Sequence, residues 1–116
     1  MQNPKEIRRR QYQSMQPEQL VCLLLRKCIT HVTGAKYAIQ QRDYEQANNR
    51  LIDAQDILSL LSQNIISEDD GSQQAREVLD LLQQQLYFAN IYKDLGRLEE
   101  ALNYLRRLAD ITEYYR

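Results

Sequence analysis

From Tyr44 to Ile65 the apolar residues fall at Tyr44, Ala47, Leu51, Ala54, Leu58, Leu61 and Ile65, in steps that alternate three and four. Such steps average about 3.5 residues, so they keep one stripe of a helix turned towards one neighbour along its whole length. A helix with that seam has to lie side by side with other helices. Catalytic groups form no comparable pattern anywhere in the chain, so a search for function begins with binding.

The rest of the composition suits the same architecture. The 116 residues include three glycines, two prolines and no tryptophan. A chain this long makes one domain, and burying about 60–70% of its unfolded surface needs neither disulfides nor metals. Scarce breakers favour long helices over many turns. The net charge of −1 gives no general attraction to nucleic acid. Charge is uneven, however: Lys5, Arg8, Arg9 and Arg10 against Glu6 give the first 13 residues +3 and leave −4 for the remainder. This reads as a flexible basic arm over residues 1–15, solvated or docked locally, ahead of a helical domain over 16–116. There is no apolar run long enough to span a membrane, and no apolar signal-peptide core follows the basic start. Cys22 and Cys28 sit six apart on one expected helix, point in different directions and cannot bridge. Free thiols fit a reducing cytoplasm.

Four helices are expected. Pro17 suits a first-turn position, and Leu20, Leu24, Cys28, Val32, Ala35 and Ile39 form the first face. Leu20 to Leu25 is apolar all round, so that end requires cover on more than one side. Gly34 costs about 1 kcal/mol relative to alanine unless a close neighbour needs the space. Arg42 and Asp43 make the first connection, with Asp43 as N-cap and Gln46 placed to complete a capping box. The second helix runs to about Ile66, and residues 67–72 read as a loop. The third runs from about Gln73 to Lys93 with Ala75, Leu79, Leu82, Leu86 and Ala89 inward. Asp94, Leu95 and Gly96 make a turn, and the fourth helix turns Leu98, Ala101, Leu105, Leu108 and Thr112 inward. Short connections and matched lengths predict an all-α, antiparallel up-down-up-down four-helix bundle.

Candidate chemistry is sparse. His31, the single histidine, stands three residues from Cys28, as two ligands on a helix would. Nothing marks further ligands, and a solvent-facing or interfacial histidine is the plainer account. As a nucleophile pair the same residues would lack oxyanion donors, because backbone N–H groups inside a helix are already bonded. Asp69-Asp70 and Glu99-Glu100 read as charges at helix starts. Neither a dinucleotide fingerprint nor a phosphate loop is present. The expectation is a protein that is not an enzyme and carries no cofactor or metal.

The surplus is apolar. Ile52 and Leu60 lie off the main stripe of the second helix, and Leu81, Phe88, Ile91 and Tyr92 off that of the third. From Leu81 to Tyr92 no residue is charged. A solvated helical face normally carries charge, so this one is either buried by wide packing stripes or kept for a partner. The six residues are the candidate partner-binding groove, of a kind that accepts an amphipathic helix. An alternative comes from Tyr92 to Leu102 and Asp43 to Ala47, which read locally like tetratricopeptide repeats. About 54 residues separate the two stretches, against a repeat length of 34, but a degenerate helical adaptor for another protein remains the second reading.

Several stretches resemble the flagellar secretion chaperone family FliS: Ala38 to Asn48 with its acidic-Tyr-Glu turn, Leu51 to Leu58 with its Ala-Gln-Asp-Ile run, Pro17-Glu18-Gln19-Leu20, and Ala89 to Asp94. The likeness covers roughly residues 12–116 in matching order. Leu24-Leu25-Arg26-Lys27 and Ser14-Met15-Gln16 depart from the usual family pattern. The resemblance implies a cytoplasmic chaperone of flagellar protein export, needed for flagellum biogenesis. It would hold the disordered C-terminal segment of flagellin in apolar helical grooves and prevent premature polymerisation. It also implies an N-terminal arm that covers part of that surface when no client is bound, with Ile7 and Tyr12 as its anchors here. Expected partners are flagellin and the flagellar export apparatus, with no nucleic acid and no membrane insertion; the chain itself is expected as a monomer or weak homodimer.

Overall fold

Residues 17–65 and 68–114 are described by a computed structural model. Among them are four helices, numbered here α1 (Pro17–Gln40), α2 (Tyr44–Gln63), α3 (Asp70–Tyr92) and α4 (Leu95–Tyr114). The arm anchors Ile7 and Tyr12 lie outside the described residues. No helix among those described is long and apolar enough to cross a membrane.

The helix ends follow from local hydrogen bonding. Asp43 caps α2 by accepting from the Gln46 backbone N–H at 3.2 Å. α1 closes with Arg42 in the left-handed region (φ 59°) while the Asp43 N–H reaches back to the Ala38 carbonyl at 2.8 Å. Lys93 repeats the device after α3 (φ 51°), and the Asp94 N–H reaches Ala89 O at 3.0 Å. Both left-handed residues carry side chains where glycine is the unstrained choice, at a cost of about 1–2 kcal/mol each.

Three boundaries differ from expectation. α2 stops at Gln63, because Asn64 folds back with its side chain on Leu60 O and its backbone N–H on Leu61 O. α3 starts at Asp70, not Gln73: Asp69 accepts from the Ser72 N–H at 2.7 Å and draws Gly71 and Ser72 into the first turn. α4 starts at Leu95, because Asp94 accepts from the N–H groups of Gly96 and Arg97 at 3.0 and 3.3 Å. Glu99 and Glu100 therefore stand in the second turn of α4 and not at its start.

Neighbouring helices run antiparallel, as the cross-helix contacts show. Lys36 pairs with Glu99, and Arg26 pairs with Asp110 (3.4 Å) and Glu113 (2.7 Å), so rising numbers on α1 meet falling numbers on α4. Asn90 donates to Asn48 at 2.8 Å and Gln83 to the Gln55 carbonyl at 2.8 Å, which fixes α3 against α2 in the same sense. α1 packs on α2 and α4, and α3 packs on α2 and α4, with α1–α2 the most extensive junction and α3–α4 the least. Contact between the first and fourth helices closes a ring. In a stacked array of helical pairs those two would stand apart, so the tetratricopeptide-like solenoid is set aside as the fold.

The core holds the α2 seam (Ala47, Leu51, Ala54, Leu58, Leu61) against Leu24, Cys28, Val32 and Ala35 of α1, Leu79, Leu82, Leu86 and Ala89 of α3, and Leu98, Ala101 and Leu105 of α4. Tyr44, placed at the head of the seam by periodicity, is exposed. On α4 the inward face also includes Leu102 and Ala109, whereas Leu108 and Thr112 are half-buried. Gly34 has the close neighbour its position asked for: a Cβ there would stand 3.1 Å from Arg50 Nε. Among the described residues no polar or charged side chain is buried.

Candidate docking grooves

The uncharged run of α3 does not disappear into the bundle. Leu79, Leu82, Leu86 and Ala89 occupy the inward face of the helix and leave Leu81, Tyr87, Phe88, Ile91 and Tyr92 to the outside. Leu81 is 62% exposed and Tyr92 69%, far beyond what a merely wide packing stripe leaves uncovered. Ile52 and Leu60 on α2 are exposed as well. All six residues picked out as off-stripe are therefore solvent-facing.

They do not share one groove. Leu81 and Phe88 line a groove of about 540 Å³ between α3 and α4. Its apolar surface also includes Val78, Leu82, Ala101 and Tyr104, and Gln84, Gln85, Arg97, Glu100, Asn103 and Arg107 supply its polar lining. It opens where the helices are least tightly joined, and Gln85 ties its two sides, accepting from Arg97 Nη1 at 3.1 Å and donating to Glu100 at 3.3 Å. Phe88 also lines a shallower depression of about 490 Å³ on the α2 side, with Gln55, Gln83, Gln84 and Tyr87. The Tyr87 and Phe88 rings meet edge to face, 5.5 Å between centroids, so one aromatic pair spans the outer surface of α3. Ile52, Leu60, Ile91 and Tyr92 line neither groove.

A third hollow, about 370 Å³, lies at the end of the bundle where α1 and α3 begin and α2 and α4 finish. Val21, Leu25, Leu61, Ile65, Val78 and Leu108 are among its walls. This is the end where the all-apolar run Leu20–Leu25 called for cover on several sides. Leu24 and Leu25 are buried there, whereas Val21 stays exposed.

Tyr104, Arg97 and Arg107 line the α3–α4 groove but were not among the residues the sequence singles out. A weak signal existed: Arg97, Tyr104 and Arg107 stand seven and three residues apart, on one side of α4, off its inward stripe. Arginines at two of these three positions concealed it.

The groups singled out for chemistry are elsewhere. His31 sits at the α1–α2 seam, half-buried, with Nδ1 accepting from Arg50 at 3.2 Å and lying 4.0 Å from Asp53. Cys28 faces the core, its thiol 3.7 Å from the Ala54 carbonyl, and burial pushes its pKa up to about 12. A thiol held so far from ionisation is a poor nucleophile and metal ligand. Among the described residues, no three His, Cys, Asp or Glu side chains gather where they could hold a metal ion. Glu99 is held below the ordinary carboxylate range by its hydrogen bond from Lys36, which pins α4 to α1.

Comparison with known proteins identifies a family and a characterised relative. A family model described as "Flagellar protein FliS" matches residues 1–112. The flagellar secretion chaperone FliS of Bacillus subtilis (strain 168) is 30% identical over 94 residues, which cover 81% of this chain and 71% of that protein.

Proposed function

Because the chain belongs to the flagellar protein FliS family, we propose that it is a cytoplasmic export chaperone that holds the disordered C-terminal segment of flagellin and blocks its premature polymerisation. The observation that carries this reading is the exposed, uncharged outer face of α3, flanked on both sides by grooves. A disordered client loses conformational freedom when it binds, and a broad apolar contact has to offset that loss. Two adjoining depressions joined by the Tyr87–Phe88 pair suit a segment that folds into short helices as it wraps, better than they suit a compact ligand.

In this reading Leu81 and Phe88 lie at the centre of the contact, and Ile52, Leu60, Ile91 and Tyr92 extend it along α2 and towards the far end of α3. The arm, residues 1–15, covers part of the same surface through Ile7 and Tyr12 until a client displaces it from the body, residues 16–116. The loaded chaperone, a monomer or weak homodimer when free, then delivers its client to the flagellar export apparatus. No catalytic step enters the cycle.

The test is a set of charge substitutions, Ile52→Asp, Leu81→Asp and Phe88→Glu, titrated calorimetrically against a flagellin C-terminal tail. Circular dichroism checks each fold. Because all three side chains are exposed, helicity is expected to be unchanged while affinity falls, most for Phe88→Glu. Unaltered affinity in all three variants would overturn the reading.

A further inference from the structure

The α3–α4 groove has a guanidinium near each end of its α4 wall. Arg97 lies over the Phe88 ring, 5.6 Å from its centroid, and Arg107 lies over the Tyr104 ring at 5.4 Å. Ten residues on one helix put the two arginine backbones about 15 Å apart along the axis, at about 1.5 Å per residue. The two cations differ in what already engages them. Arg97 Nε is 3.4 Å from Asp94, and its Nη1 donates to Gln85. Arg107 makes no salt bridge among the described residues.

Asp110, one turn on from Arg107, pairs with Arg26. Glu100, the one carboxylate lining the groove, accepts from Gln85. Arg107 borders the groove as a cation with no salt bridge among the described residues. A guanidinium over a ring uses its face and keeps its in-plane N–H donors for a two-point contact with a carboxylate. The ring also restrains the side chain, so less rotamer freedom is lost when a partner arrives.

We propose, resting on the reading given above, that the α3–α4 groove selects its client segment by charge as well as by apolarity. The segment it fits is an amphipathic helix of about three turns, with a carboxylate on one edge of the apolar face that pairs with Arg107. Arg107 is a specificity determinant here, and Leu81, Phe88 and Tyr104 supply the apolar contact. A basic edge at the same place meets Arg107 as a like charge and is rejected.

The full chain is titrated with three synthetic peptides that share one apolar face and carry Glu, Gln or Lys along the edge. Calorimetry gives affinity, and the ring resonances of Phe88 and Tyr104 report the site. The Glu-edged peptide should bind about threefold to fivefold more tightly than the Gln-edged one, the range of a solvent-accessible charge pair. The Lys-edged peptide should bind more weakly than either. Arg107→Gln should abolish the Glu-over-Gln preference, Arg107→Glu should reverse the order, and 0.5 M salt should erode it. Equal affinities, a preference that survives Arg107→Gln, or no binding by any peptide would overturn the inference. A flagellin tail titrated into the same proteins separates the two claims. Tail binding that depends on Phe88 alongside peptides indifferent to edge charge removes this inference alone. Tail binding that ignores Ile52→Asp, Leu81→Asp and Phe88→Glu removes the reading beneath it.

Discussion

Replacing Gly34 by alanine asks whether the α1–α2 junction is as close as its geometry says. Glycine inside a helix costs about 1 kcal/mol against alanine, so on propensity alone Gly34→Ala stabilises the protein by that much. The new Cβ, however, would stand 3.1 Å from Arg50 Nε and 3.3 Å from its Cζ, both inside ordinary contact distance. The Arg50 guanidinium has to withdraw by a few tenths of an ångström. It already reaches His31 Nδ1 at 3.2 Å, so withdrawal weakens a hydrogen bond worth about 0.5–1.5 kcal/mol. The two effects nearly cancel, and Gly34→Ala should change stability by less than about 0.5 kcal/mol. With Arg50→Ala already in place the obstacle is gone, and the same substitution should stabilise by about 1 kcal/mol, roughly 4 °C in Tm for a chain of this size. The assay is urea denaturation of all four proteins followed by far-UV circular dichroism, with equal m values confirming that only stability has changed. An equal gain in both backgrounds would refute the argument by showing that Arg50 yields without cost. A loss in the Arg50→Ala background would refute it from the other side, because something besides Arg50 would then need the space.

Two further outcomes are expected. The Cys28 thiol, fully buried with a pKa of about 12, has about one molecule in ten thousand ionised at pH 8, so maleimide should label it only as fast as the protein unfolds; rapid labelling without denaturant would contradict its placement. Glu99 has a folded pKa below its ordinary 4.5, so its pairing with Lys36 supports the fold above about pH 4.5, and that support is lost as pH falls through the lowered value. Lys36→Met should bring the Glu99 carboxyl titration, followed by NMR, back up to the ordinary range, and an unmoved titration would count against the pair.

The fold was legible because a helical seam is written in one dimension. Ala47, Leu51, Ala54, Leu58 and Leu61 all went inward as their spacing requires. Tyr44 failed because it opens α2 and has only half a helix's surroundings to cover it. The early starts of α3 and α4 were missed for one reason: Gly71 and Gly96 were read as breakers, whereas Asp69 and Asp94 each accept from backbone N–H groups ahead of them and hold those glycines in helix. The candidate groove was legible by halves. An exposed apolar residue announces itself through its break from the stripe, as Leu81 and Phe88 did. A groove is a space between two helices, and its second wall depends on how α4 is rotated against α3. That rotation, which sets Tyr104 and Arg107 opposite α3, is a property of packing that no single stretch of sequence carries.

The wholly apolar interior of the described bundle has a mechanical consequence. Apart from the weak thiol contact of Cys28 to the Ala54 carbonyl, nothing in the core acts as a latch: sliding or parting two helices there strands no other polar group and meets mainly the smooth resistance of aliphatic contact. The polar fastenings lie towards the edges, on the α1–α4 and α2–α3 junctions above all, and the packing itself is most extensive between α1 and α2 and least where α3 meets α4. A molecule fastened in this way yields at its loosest side first, like a book opened from its fore-edge, and the groove between α3 and α4 runs along that side.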